Sequence, residues 1–450
     1  MPLSRQPIAV LLAVVVLALL AFNLGAYTQG LRLACADDLT LDHALSDPIG
    51  QTGNRIHDEA MGRFYAETKF FLLERLMAIH SEVIRTLVRL ASALLALAAA
   101  SWFAWEWSRD RFVAFSVLAL SLGLFPVVAG YQAFLSFPLL WIGWGAIWMM
   151  GVFALRDESV AGRCLMAAAF GLALASHESN AAFVVWPALV RAAAGKPGWR
   201  ATAAREFAPC LVVLLGYAAL SLALRHEVRV LLNEPIYDGA QLSWHLRDAV
   251  FALNVYSLSG LPGLDGWCAR WTDALWLNPA DWLTRVETWI TLPGMLVSIL
   301  LGAALWFAAR SPGDLKAPPV RRNAVRFGAL LVFAAYAPNV LLAITMKYQE
   351  WAHQREWPYY YTSMSFITWT VLGAVLAGGL LRRTRGRTRG CVQTALAVLA
   401  FVLALGSNAA GRQAVAFMRH HPYFFQVDFR AHLPGPPIFA RTPDRLPGPR

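Results

Sequence analysis

Apolar runs of membrane-crossing length recur along the whole chain, and that repetition leaves it few ways to fold. A helix needs about 20 apolar residues to traverse ~30 Å of hydrocarbon. Such runs fall at about 7–27, 87–107, 112–130, 134–154, 164–177, 181–195, 207–224, 288–308, 325–345, 361–381 and 391–409. Those at 164–177 and 181–195 are short and joined by a tight polar break, so they make either two spans or one re-entrant hairpin. Composition agrees: 58% of the 450 residues are hydrophobic and 15% are charged, against about 25% charged in soluble domains. The sequence predicts an all-α integral membrane protein of about eleven transmembrane helices, with interfacial helices in the outer loops.

The first run is longer than the roughly 7–15 residues of a signal-peptide core. Arg32 also stands where a lipoprotein signal ahead of Cys35 would want an apolar residue, so 7–27 reads as an uncleaved helix. With the N-terminus inside, the inner loops are 1–6, 108–111, 155–163, 191–206, 309–326 and 382–390, which together hold about half of the 39 basic residues. Short loops rich in Lys and Arg stay cytoplasmic. Arg382, Arg383, Arg385, Arg387 and Arg389 form the strongest such anchor. The net charge of +11 then reports topology and anionic lipid, not nucleic acid. The expected setting is a bacterial inner membrane with the N-terminus in the cytoplasm. Residues 1–410 form one polytopic domain with outer loops at 28–86, 225–287 and 346–360, and 411–450 form an outward tail.

Five cysteines are too few for a disulfide scaffold. Cys164, Cys210 and Cys391 fall in or beside spans, whereas Cys35 and Cys268 fall in outward loops and admit a bridge. In the first loop Phe64, Phe71, Leu72, Leu76, Ile79 and Val83 recur near helical spacing, with Arg63, Glu67, Glu74, Arg75 and Glu82 mostly on the other side. That pattern fits a helix lying along the membrane surface, or one packed on the second outer loop. Trp244, Trp267, Trp271, Trp276 and Trp282 in that second loop suit a headgroup belt, with stacking on sugar rings as the alternative.

Four polar constellations fall on the expected outer side. They are Asp37-Asp38 with Asp42 and His43; Arg63, Glu67 and Lys69; His177-Glu178-Ser179-Asn180 in the polar break; and Lys347-Tyr348-Gln349-Glu350-Trp351 with Arg355 and Tyr359-Tyr360-Tyr361. Ionisable residues beside an apolar slab are costly unless they face water or a site. His177-Glu178 has no second histidine four residues on, so it is not a zinc-protease helix. No metal site is expected from His420-His421, although Asp37 and Asp38 offer the carboxylate oxygens that a divalent cation takes. No glycine-rich phosphate loop follows a strand, which leaves nucleotide-dependent chemistry without a motif.

An N-terminal span, an acidic pair directly after it and a basic surface helix together resemble the polytopic GT-C glycosyltransferases, which use polyprenyl-phosphate sugars. The segment Ala175-Ser176-His177-Glu178-Ser179-Asn180-Ala181-Ala182, leading to Trp186-Pro187, resembles that family's Ser-Lys-Glu-small break, with His177 in place of the lysine. The likeness covers roughly residues 1–410 in topology. It implies that Asp37 or Asp38 is the general base and that Lys69 or Arg63 is the cation facing the lipid phosphate. His177, with Glu178 beside it, Lys347 and Arg355 would add substrate contacts. The implied partners are a polyprenyl-phosphate sugar donor, an outer-face glycan, lipid or protein acceptor, and membrane lipids.

Each of these residues also has a plain alternative. Asp37-Asp38 suits a helix cap or a solvated flank, and Arg63, Lys69, Lys347 and Arg355 suit headgroup-facing cations at helix ends. At the level of function, an O-antigen polymerase or ligase-like protein would rely instead on Arg225, Arg229 and Arg247. A transporter or flippase would bury ionisable groups in broken mid-membrane helices. Arg89 is the main charge that the sequence places inside a span.

Overall fold

The computed structural model describes residues 5–28, 62–63, 82–124, 138–156, 159–195, 199–232, 241–262, 279–310, 324–354 and 359–420. Among them are fourteen α-helices: α1 (Arg5–Thr28), α2 (Glu82–Ser108), α3 (Arg111–Gly123), α4 (Pro138–Arg156), α5 (Val160–Ser176), α6 (Trp186–Ala194), α7 (Trp199–Leu232), α8 (Leu246–Leu258), α9 (Pro279–Trp289), α10 (Leu292–Arg310), α11 (Ala324–Ala343), α12 (Met346–Gln354), α13 (Tyr359–Arg383) and α14 (Gly386–His420). A 3₁₀ helix, Glu178–Val185, leads into α6. The described residues form no strand beyond one isolated bridge between Leu242 and Thr345.

Among the described residues seven helices are long and apolar enough to cross a membrane, within α2, α4, α7, α10, α11, α13 and α14. Three shorter apolar helices fall within α1, α3 and α5. This is a multi-pass, all-α membrane architecture, and the described residues do not confirm the expected count of about eleven spans. The segment 181–195, expected as a span or as one arm of a re-entrant hairpin, belongs to a 3₁₀ helix followed by the nine-residue α6. Pro187 supplies the reason. It has no N–H to offer the carbonyl four residues back, and the Trp186 N–H bonds the nearer Phe183 carbonyl. The ends of α7 also differ from expectation, because helix continues through charged residues on both sides of the apolar run at 207–224. Similarly, α14 continues to His420, past residue 410.

In lipid, helices associate by close packing and hydrogen bonds rather than by expelling water, and small residues do much of that here. The buried face of α2 carries Ala93, Ala96, Ala100 and Ala104, and α4 approaches it closely at Gly145, against Ala96. Gly143 meets Ser176 at the end of α5, while Gly151, two turns further along α4, meets Trp186 and Phe103. The chain from Ser176 into α6 therefore runs in the same direction as α4. Phe103, Trp107, Trp148, Trp186 and Phe327 pack into an aromatic cluster joining α2, α4, α6 and α11. On the far side α1, α3, α9, α10 and α14 pack together.

The two ends of the bundle differ chemically. One end gathers the C-termini of α2, α4, α10 and α13 with the N-termini of α3 and α14. Glu106 of α2 is fully buried there, receiving Arg109 at 2.5 Å, Arg156 at 3.3 Å and the Trp102 indole at 3.1 Å. Asp110 caps α3 and binds Arg382 at 3.1 Å. Arg389 and Gln393 donate to the Ala309 carbonyl at the C-terminus of α10, where a cation complements the helix dipole. The sequence treats the spans as almost free of charge, with Arg89 as the main exception. Arg89 is indeed buried, but so are Glu106, Arg191 and Glu206. The last two come from the stretch 191–206 expected as an inner loop, which is mostly helix instead. At the opposite end α8 and α12 pack on each other and on α11 around Ala252, Val255, Tyr256, Ala343 and Ala352. They lie within the stretches 225–287 and 346–360 that the sequence reads as outer loops.

Candidate functional site

The break after α5 is where sequence-expected site residues meet. The helix stops at Ser176, and His177 adopts extended backbone. Its imidazole Nδ1 accepts the Ser179 N–H at 3.1 Å, capping the 3₁₀ helix that follows. Asn180, fully buried, donates its amide to the Ala173 carbonyl at 2.9 Å and to the Ser176 hydroxyl at 3.2 Å. The break is therefore hydrogen-bonded back onto the helix it leaves, which fixes where Glu178 stands.

Glu178 takes Arg63 in a two-pronged ion pair. Arg63 Nη2 donates to Oε1 at 2.6 Å and Nε to Oε2 at 3.1 Å. The side chains are only 15% and 25% exposed. Such fork-to-fork pairing is stronger and more directional than a single charged contact. His177 Nδ1 lies 3.7 Å from Glu178 Oε2. Burial pushes the Glu178 carboxyl up, but His177, when protonated, and the Arg63 guanidinium pull it down and win, holding it well below the usual carboxylate range.

Gly62 explains how Arg63 arrives there. Its φ of +80° is left-handed backbone, and a Cβ on it would lie 2.8 Å from the Ser221 carbonyl and 3.1 Å from Arg225. Only glycine combines that conformation with such close approach. Residues 62–63 thus lie against the C-terminal part of α7 and reach across to the break. On its other side the 3₁₀ helix packs on α11, with Phe183 edge-on to Phe333.

Of the expected site residues, Arg63, His177 and Glu178 are brought together. Lys347 is held separately on α12, its Nζ 4.6 Å from the Trp351 ring centroid. Asp37, Asp38, Lys69 and Arg355 lie outside the described residues, as do Cys35 and Cys268 and most of the expected surface helix. Among the described residues no group of three or more His, Cys, Asp or Glu is placed to hold a metal ion.

No family model, characterised protein or solved structure matches this chain. Its chemistry must therefore be argued from its own residues. A carboxylate held ionised so far below neutral is a poor proton acceptor, because catalytic efficiency favours a pKa near the working pH. Glu178 instead fixes Arg63 in place, and a guanidinium so fixed presents its charge at one point. Sequence reasoning named Asn180 in the polar break but missed Gly62 and Ser221 as parts that build the site. The usable signal was a glycine directly before an arginine.

Proposed function

We propose that this chain is a membrane glycosyltransferase that moves a sugar from a polyprenyl-phosphate donor to a glycan, lipid or protein acceptor. In this reading the arginine-rich end faces the cytoplasm of a bacterial inner membrane, and the break after α5 faces outward. One observation carries it. The connection between α1 and α2, which bears Asp37, Asp38 and Lys69 in sequence, is pinned through Arg63 to Glu178 beside His177.

The chemistry assigns complementary roles. The acceptor hydroxyl gives its proton to Asp37 or Asp38 as its oxygen attacks the anomeric carbon. The bond from that carbon to the phosphate oxygen breaks with inversion, and the lipid phosphate leaves with an added negative charge. Cations in a water-poor setting stabilise that charge most strongly. Arg63 and Lys69 are the cations assigned this role, with His177, Lys347 and Arg355 as further donors. A second reading has one observation in its favour: Arg225, an important position for a polymerase or ligase-like protein, lies against Gly62.

The deciding assay incubates membrane vesicles holding the protein with radiolabelled polyprenyl-phosphate hexoses and follows label into acceptor. Asp37→Asn or Asp38→Asn is expected to abolish transfer while the protein stays in the membrane. Full transfer by both variants would refute the reading. Loss in Arg229→Gln with both aspartate variants active would favour the polymerase or ligase. Flux of the intact donor without transfer would favour a transporter.

A further inference from the structure

We propose that the groove between α5 and α7, at the arginine-rich end, binds the headgroup of an anionic phospholipid. The groove has a volume of about 540 Å³ and is lined by Arg163, Arg205, Ala208, Pro209 and Val212. Four of these come from α7, at positions i, i+3, i+4 and i+7 from Arg205, which is one stripe of a helix. The fifth, Arg163, stands in the first turn of α5, just after its Ser159 cap.

Two charges facing one cavity repel unless something answers them. Neither Arg163 nor Arg205 has an ion-pair partner among the described residues. Glu206, the acid next to Arg205 in sequence, is turned inward and bonded to Arg191 at 2.7 Å, both side chains being only 1% exposed. Among the described residues the two guanidinium groups of the groove are thus uncompensated, and planar guanidinium forks match phosphate oxygens in pairs.

What lies beyond the arginines selects a lipid as the source of the phosphate. The stripe turns apolar after Arg205, and Val212 is 69% exposed. The span of α7 it belongs to, Ala203–Glu227, is the least enclosed of the seven, with 6% of its apolar window buried. Leu215, Leu220 and Leu222 continue that exposed face. A headgroup between the arginines would leave its acyl chains running along this surface, where free phosphate would have no such contact. Pro209 aids access, since a proline inside a helix leaves the preceding turn without one backbone hydrogen bond.

The test measures retention of phosphatidylglycerol against phosphatidylcholine on the purified full chain by native mass spectrometry. Each arginine near an anionic headgroup contributes about fivefold to binding, so Arg163→Gln/Arg205→Gln should weaken phosphatidylglycerol retention by roughly thirtyfold. Phosphatidylcholine retention should be unchanged. Arg383→Gln, an exposed arginine at the same end, should bind as wild type does. Wild-type retention by the double variant would overturn the proposal. So would equal weakening by Arg383→Gln, which would mean diffuse attraction to the whole end. Inorganic phosphate that competes as well as phosphatidylglycerol would exclude a lipid as the occupant. Melting curves will show that the variants fold, as both side chains lie at the surface.

Discussion

Removing either partner of the Arg63–Glu178 pair should reveal that this contact holds the first connection against the break. Exposed ion pairs contribute about 0–1 kcal/mol, whereas stripping one partner from a fully buried pair costs about 3–5 kcal/mol. With side chains 15% and 25% exposed and two charged hydrogen bonds, each of Arg63→Gln and Glu178→Gln should cost about 2 kcal/mol. Joint replacement leaves no lone charge behind. It should cost about 2.5 kcal/mol, a coupling of about 1.5 kcal/mol. Unfolding midpoints of the four proteins in mixed micelles give this number directly. The acid dependence adds a second check. The folded Glu178 carboxyl sits below its ordinary value of 4.5, so the unfolded chain takes up the proton first as pH falls. The stability it supplies is complete above about pH 4.5 and shrinks below that value. The gap between wild type and Glu178→Gln should therefore be flat near neutrality and narrow in acid. Additive single effects, within about 0.5 kcal/mol, would refute the pairing.

Three further substitutions probe other parts of the structure. Gly62→Ala should cost more than about 1 kcal/mol from its left-handed backbone alone, with the Ser221 carbonyl 2.8 Å from the new Cβ adding to it. Faster tryptic cleavage after Arg63 would register that loosening. Glu106→Gln should cost about 3 kcal/mol, because Arg109 and Arg156 lose the buried carboxylate they share, read as a lowered melting temperature. Gly143→Ala places a methyl on the Ser176 side chain and should cost about 1–3 kcal/mol by prising α4 from α5. Unchanged melting would show that these helices can separate without strain.

Hydropathy made much of this fold readable in advance, because a long apolar helix needs nothing beyond its own composition. The spans in α2, α4, α10, α11, α13 and α14 lie close to where the apolar runs put them. Other elements depend on information that hydropathy does not carry. The extended ends of α7 are helical although charged, since helix geometry tolerates Arg, His and Glu well. The buried ion pairs of Glu106 and of Arg191 with Glu206 were hidden because each half looks like an ordinary residue near the end of a span. Helices α8 and α12 lie in stretches too polar to register as spans, and their seam at Tyr256 and Ala352 forms only in three dimensions. At the site, the polar break was visible as an interruption between apolar runs. That Glu178 answers Arg63, 115 positions away, was not readable from spacing. What aims Arg63 is a glycine backbone angle, hinted at only by the Gly62-Arg63 dipeptide, and a helix surface that leaves no pattern in the residues nearby.

Cysteine labelling in sealed vesicles tests the central claim, that the Arg63–Glu178 site and the arginine-rich anchor occupy opposite ends of the bundle. In a background with the native cysteines replaced by serine, one reporter goes at Glu227, exposed half a turn beyond the Arg225 that meets Gly62. The other goes at Arg385, exposed within the anchor. With an impermeant maleimide, the account predicts that one reporter labels in right-side-out vesicles and the other only after inversion. Labelling of both from the same side would contradict it.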